Sequence, residues 1–433
     1  MFILLLTSML TLAFNIRPVR ASGTIYIRAD GSIDPPDAPV STSDNATYTF
    51  VGDISDSIVV ERDNIVVDGA GYTVQGTGVP FVEGIWMNGR KNVTIRRTEI
   101  RAFDYGINLS NCSSIIISEN TIRNGRDGLI LSDASNNIIS GNNMIDNDYY
   151  GIWLWNDCNN NTIHENNIAN SSFGVEIDGG VAQQSGNNII SRNNIASSDN
   201  SGIYIVGCYS NVVYGNRIAN NTYHGISIYS SSNNTIFDND LRDNEMGIQL
   251  RGSSNNNIVH GNIVMHNSYG VYLEGLFSSE IGPSDNILYH NNLINNTKHV
   301  YSARAPSLSP ASYPNLWNDD YPSGGNYWSD YNGTDVYTGP YQNLTGTDGI
   351  GDAPYVIDAN NTDHYPLVRP YGALLGDVNG DGTVNMKDVM AAVQAFNSFR
   401  GYPRWNADAD LDDSGRVDMR DIVMIVLNFN KHE

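Results

Sequence analysis

Residues 149–179 read YYGIWLWNDCNNNTIHENNIANSSFGVEIDG, and inside that stretch one unit finishes and the next begins. Gly151-Ile152-Trp153-Leu154 alternates its side chains, Asn161-Thr162-Ile163 follows half a unit later, and Gly174-Val175-Glu176-Ile177 restarts the pattern. The same Gly-aliphatic-x-aliphatic run begins at Gly84, Gly106, Gly128, Gly151, Gly174, Gly202, Gly225, Gly247 and Gly270, in steps of 22, 22, 23, 23, 28, 23, 22 and 23 residues. Period-two alternation marks strands, and the Gly and Asn between them mark turns. No segment of this stretch sustains a 3.6-residue period. A unit this small cannot bury its own apolar face, so it must stack on its neighbours. Coils stacked at ~4.8 Å predict a rod roughly 45 Å long, an all-β parallel solenoid.

Stacking turns repeated positions into columns. Asn120, Asn142, Asn166, Asn193, Asn216, Asn239 and Asn262, continued by Asn292 or its neighbour, form one that can pair amide to amide between coils. Cys112, Ala134, Cys158, Ser185, Cys208, Ser231 and Ser254 form a column of small residues. The cysteines then stand two coils apart, about 9–10 Å, too far for a disulfide. The wider steps before Gly202 and Asn291 predict loops that bulge from the stack. In each run the aliphatics point inward, so the x residue and the one after the run face out. One outward column holds Trp153, Glu176 and Tyr204, the next holds Trp155, Asp178 and Tyr229, and Asp127 and Tyr150 stand just before the glycines. Aromatic faces stack on sugar rings and carboxylates bind hydroxyls. Tyr150, Trp153, Trp155, Tyr204 and Tyr229 are therefore the candidate carbohydrate contacts of an exposed strip. Glu176 and Asp178 lie two apart on one strand, ~6.5–7 Å, at the lower edge of the spacing for an inverting acid–base pair. With Asp127 they are the candidate catalytic carboxylates. A face packed under a loop would account for the same residues.

The spacing and turn residues resemble the right-handed parallel β-helix of the pectin-lyase-like superfamily. IVVDGAGYTVQG (65–76) looks like its first coil, and WNDDYPSGGNYWSDY (317–331), TDGIGDAPYVID (347–358) and DHYPL (363–367) resemble the C-terminal tail of the NosD-type family within it. That resemblance implies the fold and carries no catalytic signature: the paired-Asp motifs of polygalacturonases and the Arg motifs of pectate lyases are absent. Glycoside hydrolase, polysaccharide lyase and non-catalytic binder all stay open. The family name also implies periplasmic copper handling and metalloenzyme maturation as an alternative. His164, His260 and His290 read as one register before the Asn column, with Met265 and His266 nearby, a thioether–imidazole set that would suit copper. No third ligand has a fixed spacing, and drift of surface histidines explains them as well. A purely structural adhesion rod is the third reading.

Past Pro370 the sequence changes character. DVNGDGTVNMKD (377–388) places Asp377, Asn379, Asp381, Thr383, Asn385 and Asp388 at calcium-loop positions, with Gly382 at the sharp turn; DLDDSGRVDMRD (410–421) repeats this with Asp410, Asp412, Ser414, Arg416, Asp418, Asp421 and Gly415. Thr383 and Arg416 contribute backbone carbonyls. An apolar-periodic helix follows each loop and none clearly precedes it. The pair looks like a type I dockerin, which implies two bound calcium ions and a cohesin-type partner on a scaffold or cell surface. The positions that choose the partner in that family are Met386-Lys387 and Met419-Arg420 here, in place of the usual hydroxyl pairs.

The remaining composition fits. A net charge of −23 argues against nucleic acid and anionic membranes as partners and suits calcium and an extracellular medium. The apolar run Met1 to Phe14 followed by Val19-Arg20-Ala21 reads as a cleavable export signal, although no basic residue precedes it. No later segment is apolar enough for a transmembrane anchor. The expected organisation is a signal peptide at 1–21, a cap and first coils at 22–83, β-helix repeats at 84–300, a tail at 301–372 and the dockerin-like module at 373–433. The expected protein is secreted and carbohydrate-binding or carbohydrate-active in polysaccharide breakdown.

Overall fold

The computed structural model describes residues 23–180, 185–276, 282–304, 309–379, 382–399, 402–411 and 414–431. The export-signal reading of 1–21, and Asp381 and Asp412, therefore lie outside the described residues.

The chain winds as a right-handed parallel β-helix with three sheets, here A, B and C, of 14, 12 and 11 strands. Sheet A carries the Gly-Ile-x-Leu strands, such as Tyr150–Trp155, Phe173–Asp178 and Ser201–Val206. Sheets B and C carry three-residue strands such as Thr162–His164 and Asn167–Ala169. Each strand pairs in parallel with its equivalent one coil on, with Ile152 beside Val175 and Val175 beside Ile203. The aliphatics face inward as expected: Ile152, Leu154, Val175, Ile177, Ile203 and Ile205 are wholly buried. Each such side chain contributes about 1.5–3 kcal/mol of burial, and no coil collects it without a neighbour.

The repeat glycine has a steric cause. A Cβ on Gly151 would stand 2.5 Å from the Gly174 carbonyl oxygen and 2.4 Å from Ile168 Cγ2. Only glycine lets successive coils approach at that corner.

Three asparagine columns fix the remaining corners. Asn166 donates its backbone N–H and its Nδ2 to Asn193 Oδ1, both at 3.0 Å, and also bonds the carbonyls of Ile139 and His164. The expected column continues through Asn262 to Asn291 and then to Asn326 in the tail. A second runs from Asn137 through Asn161 and Asn188 to Asn286 and Asn315. A third joins Asn221, Asn244, Asn267 and Asn296. The small-residue column also holds: Cys158 N–H donates to Ser185 Oγ and Cys208 N–H to Ser231 Oγ, and all three cysteines are free and buried.

The two ends differ. The stack begins before 65–76: Ile25–Ile27 already pairs in parallel with Ile58–Val60, and Thr47–Phe50 with Ile65–Asp68. Residues 65–76 open the first three-sided coil. At the other end the tail closes the solenoid. Trp317 and Trp328 are fully buried, Trp328 stacks on Tyr355 at 4.2 Å, and Asn361 and Asp363 terminate two Asn columns by accepting from the N–H of Asn315 and of Asn326. Beyond the tail, helices α1 (Met386–Ala395) and α2 (Met419–Leu427) enclose a separate small core of Val378, Val384, Ala392, Leu411, Val417 and Ile425.

Candidate functional site

The outward columns of sheet A have the predicted register. Trp153 pairs with Glu176 and Glu176 with Tyr204; Trp155 pairs with Asp178, Asp178 with Val206, and Val206 with Tyr229. The expectation of an exposed strip needs correction. Trp155 is 43% exposed, but Tyr150 is only 8% and Glu176 only 6% exposed. Neighbouring rings, both along one strand and on the next coil, lie against each other, so the strip is itself a packed layer. Tyr150 stacks on Trp153 (4.7 Å between centroids), Trp153 lies 5.8 Å from Trp155, and Phe173 lies 5.6 Å from Tyr204.

Glu176 sits inside this layer between Trp153 and Tyr204. Among the described residues no hydrogen bond reaches its carboxyl, and burial, with the nearby Asp178 charge, pushes its pKa up to about 8. The indole Nε1 of the adjacent Trp153 is also buried and without a hydrogen-bond partner among the described residues. An unmade buried polar group costs about 1–3 kcal/mol, so the indole N–H, with a carboxyl that makes no protein hydrogen bond on the paired position of the next strand, marks a place the fold alone does not satisfy. The Tyr204 hydroxyl is raised to about 12 by burial and the Glu176 charge. Asp178, partly exposed, accepts from Gly180 N–H at 2.8 Å, at the root of the first predicted bulge.

Asp127 does not join that pair. Its side chain is wholly buried, 2.8 Å from Arg126 Nη2, and it accepts from Tyr150 N–H. Burial raises its pKa against the pull of Arg126. Tyr229 lies apart from the aromatic layer, under the Arg251 guanidinium at 5.0 Å.

Of the expected histidine register, His164 and His260 do share one column, through Ser191, Tyr214 and Phe237, but His290 does not. His260 aligns with Tyr289, not His290, and its ring is sandwiched between Phe237 at 5.2 Å and Tyr289 at 5.1 Å. His290 is the left-handed corner residue (φ 55°), the place held by Gly261 (φ 66°) one coil earlier, and its Nε2 bonds Ser323 O at 2.8 Å. The misreading came from counting the ladder through Asn292 when it passes through Asn291. His164 aligns with Ser191, and among the described residues no three His, Cys, Asp or Glu side chains converge as a metal cluster.

The C-terminal loops gather hard oxygen donors. Asp388 and Asp421 are wholly buried and close capping boxes at the starts of α1 and α2. Gly382 N–H and Gly415 N–H donate to Asp377 Oδ2 and Asp410 Oδ2, and both glycines are left-handed (φ 75° and 77°). Asn379 bonds Asp388 Oδ1, Asn385 N–H donates to Asp388 Oδ2, and Asp418 N–H donates to Asp421 Oδ2. Ser414 lies beside Asp410, and the Arg416 carbonyl faces Ser414 Oγ. Each loop thus wraps a carboxylate-centred turn of oxygen donors, the chemistry of a calcium loop. Outside them, Met386 and Met419 are 60% and 61% exposed, and Lys387 and Arg420 are exposed beside them. Sequence reasoning missed that the stripe continues through Met390 and Val393 on α1 and Val423 and Val426 on α2, all exposed. The 33-residue offset that pairs Met386 with Met419 pairs these also, and would have found them.

Fold and sites together define an asparagine-laddered right-handed β-helix joined to a doubled loop–helix module. Residues 41–216 and 178–333 match the family described as periplasmic copper-binding protein (NosD), and residues 375–430 match the dockerin type I domain. The chain belongs to the NosD β-helix family and carries a type I dockerin at its C-terminal end. Among solved structures, it is similar to a point mutant of the periplasmic alginate epimerase AlgG (17% identity, TM-score 0.48, covering 68% of this chain and 84% of that one). It is also similar to the A-module of the Azotobacter vinelandii mannuronan C-5 epimerase AlgE4 (14%, 0.44, 66% and 91%) and to an exopolygalacturonase from Thermotoga maritima (11%, 0.43, 64% and 79%). No curated protein matches the chain. No described helix is long and apolar enough to cross a membrane.

Proposed function

We propose that this is an exported, carbohydrate-active β-helix that engages polysaccharide on the outer face of sheet A and is held to a cohesin-type partner through its dockerin. The observation that carries the reading is the aromatic layer around Glu176, in a chain that also bears a docking module. Rings at Tyr150, Trp153, Trp155 and Tyr204 supply stacking surface, and Glu176 and Asp178 supply the polar groups that orient hydroxyls. A carboxyl held protonated near neutrality is the form a general acid needs, and Asp178 two residues along is the partner base.

In the dockerin, Asp377, Asn379, Asp381, Asn385, Asp388 and the Thr383 carbonyl would hold one calcium ion. Asp410, Asp412, Ser414, Asp418, Asp421 and the Arg416 carbonyl would hold the other. The ions supply loop closure rather than catalysis, and α1 and α2 then present two equivalent faces, Met386-Lys387 and Met419-Arg420, to the partner.

The test is a polysaccharide-digestion and binding screen of the chain with calcium, beside Glu176→Gln and Asp178→Asn variants. Products that vanish in Glu176→Gln, with a rate that falls as pH rises through about 8, support the acid role. Binding without products makes the face a recognition surface, and silence in both removes the carbohydrate reading. Chelation of calcium should abolish cohesin capture while leaving the β-helix unfolding transition in place.

A further inference from the structure

Residues 127–191, which build the coils around the aromatic layer, contain eight acidic residues and neither Lys nor Arg. Asp133 and Asp157, exposed in the turns that follow the sheet A strands, border the layer on the side of Trp155. The nearest basic side chains on the face are already engaged. Arg126 is bound to Asp127 at 2.8 Å, and Arg251 Nε lies 3.2 Å from Glu274 Oε2, an ion pair by distance without hydrogen-bond alignment, under which Tyr229 packs. A polyanionic chain laid across Trp153 and Trp155 would therefore meet Asp178, Asp133 and Asp157 with no unengaged Lys or Arg among the described residues of the face to receive its carboxylates, inside a molecule of net charge −23.

The two unmade groups at the centre point the same way. Trp153 Nε1 can only donate, while the Glu176 carboxyl beside it can accept. One hydroxyl, which both accepts and donates, satisfies the two together, whereas a uronate carboxylate, with no hydrogen to give, can meet the indole but not the Glu176 carbonyl oxygen. The aromatic rings add the flat apolar surface that pyranose or furanose C–H faces require.

We propose that the sheet A face is built for an uncharged polysaccharide, bound through its hydroxyls at Trp153 and Glu176, and excludes polyuronates. This rests on the carbohydrate reading above. The experiment measures binding of the whole chain, at fixed calcium, to neutral oligosaccharides (gluco-, xylo- and manno-series) and to oligogalacturonate and oligomannuronate, at low and at high salt. Expected are at least tenfold tighter binding to one neutral series, and polyuronate binding that improves with added salt or in an Asp178→Asn variant as repulsion is screened or removed. Polyuronates that bind as tightly as the neutral series, with affinity lost on adding salt, would overturn the charge assignment while leaving the carbohydrate reading intact. No binding of any series would overturn both. Circular dichroism and thermal unfolding of the variant show that its fold is kept.

Discussion

The asparagine columns and the outer face of sheet A ride on the same coils, yet obey opposite rules. In the columns each residue's partner is its own copy one coil away: Asn166 bonds Asn193 and Asn193 bonds Asn216, so every position needs the same amide. On the outer face the Cα partners are Trp153, Glu176 and Tyr204, different residues with no bond between them. The first region is saturated, and the second holds, among the described residues, a buried indole N–H without a partner and a carboxyl that makes no hydrogen bond. A solenoid enforces repetition where neighbouring copies hold each other. Where that constraint is lifted, neighbouring positions are free to differ.

The sharpest way to break the contrast is inside a column. Asn193→Ala removes the acceptor of two Asn166 donors and the amide that reaches Ile163 O and Asn216. Leaving several buried groups unpaired should cost about 4 kcal/mol in denaturant unfolding. By contrast Asn167→Ala, in the exposed amide row outside sheet C that joins Asn143 and Asn194, should change stability by less than about 0.5 kcal/mol. Equal losses would refute the distinction.

Glu176→Gln probes the other side. In the fold this carboxyl titrates near 8 and in the unfolded chain near its ordinary 4.5. Below 4.5 both states are protonated and the variant should match the parent. As pH rises from 4.5 to 8 only the unfolded chain ionises, which destabilises the parent progressively. The variant should then gain up to about 4 kcal/mol by pH 8 and above, while losing any products or binding. Thermal unfolding across that pH range checks the sign, and a variant that is less stable at pH 8 would show that the charge is compensated.

Asp363→Ala tests the column's end. Its carboxylate accepts from the N–H of Asn326, Trp328 Nε1 and the N–H of Tyr365, and burial raises its pKa to about 6. Losing the acceptors should cost about 3 kcal/mol, less the relief of a buried charge. Faster amide exchange around Trp317 and Trp328 should report the loosened tail. The smallest stability effect is expected at Trp155→Ala. This partly exposed ring should cost under about 1 kcal/mol and still weaken glycan binding more than tenfold. A stability loss as large as that of Trp153→Ala would make the ring structural.

Much of this was legible in the sequence because translation by one coil is the only operation the β-helix performs. The glycine steps, the inward aliphatics, the cysteine column and the sheet A columns all follow from counting. Counting failed where the chain leaves that operation. One ladder asparagine taken at 292 instead of 291 moved His290 beside His260, and only the left-handed corner at His290 exposed the slip. It also failed for burial, which counting cannot see: Tyr150 and Glu176 face outward, yet Tyr150 is covered by Trp153 of its own strand and Phe173 of the next coil, and Glu176 stands between Trp153 and Tyr204 of the coils on either side.

The sequence by itself determined the repeat, the register of the Gly-Ile-x-Leu columns and the doubled loop–helix module, since each is a periodic pattern with a local physical cause. Only the tertiary structure decided which of the aligned side chains are satisfied. It joined Asp127 to Arg126, closed two asparagine columns on Asn361 and Asp363 from a distant tail, and left the Glu176 carboxyl and Trp153 Nε1 without hydrogen-bond partners among the described residues. Register depends on spacing along the chain, whereas satisfaction depends on which atoms meet across coils, and the meeting is fixed only once the coils are stacked.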